Sequence, residues 1–150
     1  TCPFCRAKTP TSDEESVKQL HPWVKKKKAW AQYSMGQLYH QGRGVKQSYA
    51  MAKMLYELAA QQGDASAMYN LGVLYQFGHG VEQSYERAKE YYEQAAHLGD
   101  ALAQYNLGCL YANGHGVGRD LEKAKEWWTK AAAQGDQSAI KGLNILNSRR

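Results

Sequence analysis

A period of 36 residues runs through most of this 150-residue chain. The first copy, residues 31–66, reads AQYSMGQLYHQGRGVKQSYAMAKMLYELAAQQGDAS. The second, 67–102, reads AMYNLGVLYQFGHGVEQSYERAKEYYEQAAHLGDAL, and the third, 103–138, reads AQYNLGCLYANGHGVGRDLEKAKEWWTKAAAQGDQS. A fourth starts at Ala139 and stops early as AIKGLNILNSRR, residues 139–150, a capping half-repeat. Such a period restricts the chain to architectures in which one supersecondary unit stacks on copies of itself.

Each unit reads as two helices. Ala67, Leu71, Leu74 and Tyr75 share one helical face, and Ala88, Tyr91, Tyr92, Ala95 and Ala96 form a similar stripe on the second helix. Between them lies Gly78-His79-Gly80-Val81, whose first glycine can take the left-handed conformation that ends a helix. Ser48, Ser84 and Asp120 stand as N-caps of the second helices. Those helices should stop at Gly63, Gly99 and Gly135, and Asp64, Asp100 and Asp136 cap the next first helix. Pro3, Pro10 and Pro22 all precede the repeats. Gly36, Gly72 and Gly108 recur inside the first helix, where each costs about 1 kcal/mol relative to Ala. Close approach of the paired helix, with no room for a Cβ, explains the recurrence.

These residues resemble the Sel-1-like repeat family, whose pattern is roughly A-x-x-x-L-G-x-x-Y-x-x-G-x-G-V-x-x-D followed by K-A-x-x-W-Y-x-x-A-A-x-x-G. The third unit matches with Ala103, Leu107, Gly108, Tyr111, Gly114, Gly116, Val117, Asp120, Lys123, Ala124, Trp127, Trp128, Ala131, Ala132 and Gly135. The first unit departs mildly, with Met35 for Leu, Arg43 for His, and Leu55-Tyr56 for the aromatic pair. The resemblance covers residues 31–138. It implies an all-α fold, an α-solenoid wound as a right-handed superhelix of antiparallel helix pairs, serving as a protein-interaction scaffold.

Residues 1–11 begin T-C-P-F-C-R, which looks like the last cysteine pair of a RING-type zinc finger. Cys2 and Cys5 can bite one tetrahedral Zn²⁺, but they are half a site, and His21 is the only nearby histidine. An incidental or redox C-x-x-C is the other reading. No cofactor is expected, and zinc only if an upstream part of the finger is present. Within residues 12–30, Ser12 and Glu15 form a capping box for a helix expected to end near Leu20, before Pro22. Val17, Leu20 and Trp23 could cover the open end of the first repeat. The usual Gly-Asp junction is replaced by Lys27-Lys28. The Lys25–Lys28 run reads as a solvated junction rather than a targeting or lipid patch.

The net charge is +5, but residues 31–138 carry nine Lys/Arg against eleven acids, so the basic excess lies at the two ends. A nucleic-acid partner is therefore not expected. No apolar run is long enough to span a membrane. Without a visible leader, and with an odd cysteine count, the expected setting is cytoplasmic, or nuclear. Gly-His-Gly lacks the strand and third glycine of a phosphate loop. His79 and His115 read as turn residues, Cys109 as an incidental thiol, and no nucleophile–base constellation appears, so the chain is not read as an enzyme. Tyr91-Tyr92 and Trp127-Trp128 should be mostly core.

The expected partner is a protein or peptide, bound by a monomer. The Leu-Gly-x-x-Tyr spacing also resembles tetratricopeptide repeats, whose first helices line a concave side. That resemblance implies a binding face of Tyr33, Gln37 and Gln41, then Tyr69, Val73 and Phe77, then Tyr105, Cys109 and Asn113, with Asn70 and Asn106 beside them. Equally, the three tyrosines could be packing residues. Three sets of equivalent positions differ between units: Gln37/Val73/Cys109, His40/Gln76/Ala112 and Gln41/Phe77/Asn113. Variation there reads as free surface or as tuning to a ligand. Two alternative functions are the substrate-recruiting part of a RING-type ubiquitin ligase and, disfavoured by the missing leader, a secreted or periplasmic bacterial repeat protein.

Overall fold

The computed structural model describes residues 12–149. Among the described residues there are eight α-helices and no strand: α1 (Asp13–Lys25), α2 (Ala29–Gln41), α3 (Tyr49–Gln61), α4 (Ala65–Phe77), α5 (Tyr85–His97), α6 (Ala101–Asn113), α7 (Leu121–Ala133) and α8 (Gln137–Ser148). They fall into two compact units, Thr1–Ala67 and Met68–Arg150.

The helix boundaries sit where the capping residues put them. Ser48, Ser84 and Asp120 accept hydrogen bonds from the backbone N–H of Met51, Arg87 and Lys123. Asp64, Asp100 and Asp136 accept from Ala67, Ala103 and Ala139, each at 2.8 Å. Each such cap is worth about 1 kcal/mol. At the other ends, Gly42 and Gly114 close α2 and α6 in the left-handed conformation.

In the first unit, α1 departs from expectation. It does not end near Leu20 but continues to Lys25 with Pro22 inside it. Proline removes one backbone donor and crowds the preceding turn, at about 3 kcal/mol. Apolar burial offsets this. Leu20 is buried with Ala31, Met35, Leu38 and Leu55, and Val17, Trp23 and Val24 pack on the same cluster. Stopping at Leu20 would strip the half-buried Trp23 and Val24 from it, each worth part of the about 1.5–3 kcal/mol that full burial of a large apolar side chain contributes. Pro22 itself faces solvent. The link to α2 then runs through Lys27 at φ +55, the only non-glycine residue with positive φ among those described. Lys28 is the N-cap of α2 and makes no side-chain capping bond.

In the second unit, Leu71, Leu74, Ala88, Tyr92, Ala95, Ala103, Leu107, Leu110 and Ala124 form the buried interior. At its end α8 packs Ala139, Leu143 and Leu146 against Trp128 and Ala131.

The helix-interior glycines are explained by distance. A Cβ on Gly72 would lie 2.5 Å from the Tyr92 ring, and one on Gly36 would lie 2.7 Å from the Tyr56 ring. A Cβ on Gly108 would meet the Trp128 ring at 2.5 Å and the Ala124 carbonyl oxygen at 3.2 Å. The close approach expected from sequence is present, and what fills the gap is an aromatic ring.

Candidate functional site

Each second helix sets one large aromatic under the first helix of its own pair: Tyr56 under α2, Tyr92 under α4, Trp128 under α6. Tyr92 is fully buried. The first-helix tyrosines lean on these rings. Centroid separations are 6.0 Å for Tyr33–Tyr56, 5.8 Å for Tyr69–Tyr92 and 6.3 Å for Tyr105–Trp128. All three first-helix tyrosines are half-buried. They pack within their own repeat and still reach solvent.

The buried rings dictate one of the variable positions. Tyr92 donates from Oη to Gln76 Oε1 at 2.6 Å, and Tyr56 Oη lies 3.4 Å from His40 Nδ1. Trp128 has no hydroxyl. Its Nε1 donates to the Tyr105 carbonyl at 3.1 Å, and the equivalent of Gln76 is Ala112. Variation at His40/Gln76/Ala112 is therefore neither free surface nor ligand tuning. It tracks whether the buried ring carries a hydroxyl that needs a partner.

The other predicted residues divide by unit. In the first, Gln37 Nε2 donates to the Tyr33 hydroxyl at 2.8 Å, and Gln41 is exposed. In the second, Tyr92 draws together Tyr69 and Gln76 of α4, and Asn106 is half-buried. Tyr105 and Cys109 pack on Trp128. Asn70 and Val73 are half-buried, Asn113 is exposed, and Phe77 is 60% exposed with its ring 5.9 Å from His79.

Electrostatics argue against reactive chemistry here. Burial pushes the Cys109 thiol up, against opposing hydrogen bonds with Tyr105 and Trp128. A thiol held up in this way stays protonated near neutrality and is a poor nucleophile. Hydrogen bonding with Cys109, then burial, pushes Tyr105 up to about 12. Burial likewise raises Tyr92 and Tyr56.

Sequence reasoning missed one polar feature. Gln62 Nε2 donates to Gln32 Oε1 at 2.7 Å, and Gln134 Nε2 donates to Gln104 Oε1 at 3.0 Å. Gln104 Nε2 in turn satisfies the Ala96 carbonyl at 3.1 Å, and Gln134 Nε2 also reaches the Gly99 carbonyl at 2.9 Å. The second repeat carries Met68 and Leu98 at these two places. The signal was a pair of positions that are both amide or both apolar, the pattern of side chains in contact.

His115 stacks on Tyr85 at 4.4 Å. Among the described residues no cluster of three or more His, Cys, Asp or Glu could hold a metal ion. Cys2 and Cys5 lie outside the described residues. No described helix is long and apolar enough to cross a membrane.

The model of the Sel1 repeat matches residues 31–64, 65–100 and 101–136. A Sel1 repeat protein of Oxalobacter formigenes is 38% identical, with a TM-score of 0.85 over 89% of this chain and 54% of that one. The protective antigen c5321 of uropathogenic Escherichia coli, which displays an SLR fold, is 32% identical, with a TM-score of 0.84 over 90% of this chain and 29% of its own. Cysteine-rich protein B of Helicobacter pylori, at 18% identity, covers 87% of this chain and 97% of its own with a TM-score of 0.68, and shows likeness of fold alone. This chain thus spans about half of the first relative and under a third of the second. No curated protein matches it in sequence. The fold class is the all-α solenoid. The comparisons lend no support to the zinc-finger resemblance of the first residues.

Proposed function

We propose that this chain, which belongs to the Sel1 repeat family, is a non-catalytic scaffold that binds a protein segment on the outward face of its first helices. Proteins built of Sel1 repeats are typically protein-interaction scaffolds. In tetratricopeptide repeats, which the Leu-Gly-x-x-Tyr spacing resembles, the first helices line the binding side. The observation that carries the reading is Phe77. It is 60% exposed at the end of α4, one turn beyond half-buried Val73. Neither position is spoken for in the way Gln76 is. A large exposed aromatic beside a partly exposed aliphatic is the kind of anchor on which binding energy concentrates.

The test is the double variant Phe77→Ser/Val73→Ser, compared with wild type in a cross-linked pull-down and in a melting curve. Loss of captured partners with a melting temperature within about two degrees of wild type supports the face, as expected for surface sites. An unfolded variant places the two residues in the core. A folded variant that still captures every partner rules the face out.

Recruitment of substrates for a RING-type ubiquitin ligase is a narrower role. It rests on Cys2-Pro3-Phe4-Cys5-Arg6 alone. It requires further zinc ligands from outside these 150 residues.

A further inference from the structure

The second unit ends in a groove of about 440 Å³ between α6, α7 and α8. Its floor is apolar, made by the Trp128 ring with Leu121, Ile145 and Leu146 around it. Leu121 is 39% exposed and Ile145 53%, so large apolar side chains face water here. Gly142 shapes this floor. At its place in the repeat α4 and α6 carry Asn70 and Asn106, and a Cβ on Gly142 would meet the Trp128 ring at 3.0 Å. The rim is basic: Arg119, Lys125 and Arg149 line it against a single acid, Glu122. The repeats as a whole run the other way, with nine Lys/Arg against eleven acids over residues 31–138. None of the three bases makes an ion pair with a described residue. The repeat pattern excludes one occupant. Gly36, Gly72 and Gly108 each make room for an aromatic ring of a second helix. α8 carries Asn144 at that place, and Asn147 where Tyr39, Tyr75 and Tyr111 stand. It therefore lacks the seat for the ring of a further second helix of this kind. The columns of the proposed binding face, however, continue into the groove. Ile145 stands where α4 has Val73, Arg149 stands where it has Phe77, and Asn113 lines the groove between them.

We infer that this groove docks an acidic peptide segment with an apolar anchor: one aliphatic or aromatic side chain seated on Trp128, Leu121 and Ile145, with flanking carboxylates at Arg119, Lys125 and Arg149. The inference rests on the scaffold reading and names the chemistry of the partner. The floor supplies the affinity, because covering Leu121 and Ile145 removes exposed apolar surface from water. The rim supplies the selection. Exposed ion pairs add little each, but a basic segment meets three like charges while an acidic one is steered in. Glu122 offsets part of this field, and the bases outnumber it. Two of the three are arginines, whose forked donors match a carboxylate. Salt therefore weakens such binding without abolishing it, since the apolar contact is not screened.

A random peptide display library panned on the full chain tests this. Each enriched peptide is then titrated against wild type, Ile145→Asp and Lys125→Glu/Arg149→Glu, at low and at high sodium chloride. The expected peptides combine Asp or Glu with Leu, Ile, Phe or Trp. They should bind about tenfold or more weakly on each groove variant, and several-fold more weakly at high salt. Replacing their acids with Lys should abolish binding to wild type and restore it on Lys125→Glu/Arg149→Glu, which also shows that this variant is folded. Arg149→Glu alone, at an exposed position, serves if the double variant fails to fold. Enrichment of basic peptides, of none, or of acidic peptides indifferent to the groove variants overturns the inference, as does failure of the charge swap. Peptides lost on Phe77→Ser/Val73→Ser and untouched by the groove variants overturn the groove and leave the α4 face standing. Groove peptides that behave as expected, while Phe77→Ser/Val73→Ser still captures every partner, support the groove and overturn the α4 face.

Discussion

The junction leading into the first repeat and the one leading into the third trace the same turn with opposite chemistry. Before the third repeat, Gly99 takes φ +93 and Asp100 caps α6. Before the first, Lys27 holds φ +55 and Lys28 leaves α2 without a side-chain cap. Left-handed backbone costs an ordinary L-residue about 1–2 kcal/mol, and a missing cap about 1 kcal/mol. The turns that close on the preceding helix differ as well. His115 stacks on Tyr85, whereas Arg43 makes an exposed ion pair with Asp13 at 2.7 Å. Yet α1 is in place, held by Leu20, Trp23 and Val24. The Gly-Asp signal therefore stabilises the junction but is not needed to form it. Packing of the helix alone can impose the turn.

The helix-interior glycines should behave in the opposite way, as steric requirements with no substitute. Gly72→Ala is expected to lower stability by about 2 kcal/mol through overpacking against Tyr92. Helix propensity alone predicts a gain of about 1 kcal/mol. Denaturant unfolding decides the sign, and a gain would put Gly72 in the same dispensable class as the junction glycines. Alkaline pH acts on the repeats and spares α1, which contains no tyrosine. Tyr56, Tyr92 and Tyr105 are all raised in the folded state, Tyr105 to about 12. Their contribution is fully present below the unfolded tyrosine pKa, about 10. It is lost as pH rises through the folded values. The melting temperature should be insensitive to these groups up to about pH 9 and should fall steeply above pH 10. A flat profile to pH 12 would mean that the buried hydroxyls are not titrating on unfolding. Smallest is the repair of the weak junction. Lys27→Gly with Lys28→Asp should raise stability by about 1 kcal/mol, since a gained cap and relieved backbone are partly offset by the freedom of glycine in the unfolded chain. Amide hydrogen exchange in α1 should slow with it. No change would show that α1 already folds and unfolds with the repeats.

Much of the fold was legible because each helix end carries its own local signal. Ser84, Asp100 and Gly114 are read one at a time, and the structure puts each where its chemistry predicts. Pro22 misled for the same reason, because a local rule cannot weigh the Trp23 contacts made further on. The candidate face was harder. Differences among His40, Gln76 and Ala112 looked like freedom because the partners that constrain them lie on the next helix. The paired glutamines escaped for a related reason, since a lone Gln on a helix has many uses. Only comparing two columns of the repeat at once exposes such couplings. The exposure of Phe77 was legible, because nothing in the repeat pattern asks for a large side chain there.

The reach of the hydrogen bonds has a consequence for how such a chain is assembled. The side-chain bond from Gln134 to Gly99 joins partners 35 positions apart. That is one residue short of the repeat length. Partners this near in sequence give a low contact order and quick folding. Folding can nucleate at any unit and spread to its neighbour. On the ribosome, a repeat can find its partners as soon as the next first helix emerges, without waiting for a distant strand. Over evolutionary time, whole units can be copied or deleted with every bonded pair kept at its spacing, while an insertion of any other length would break the chain of contacts at one place only.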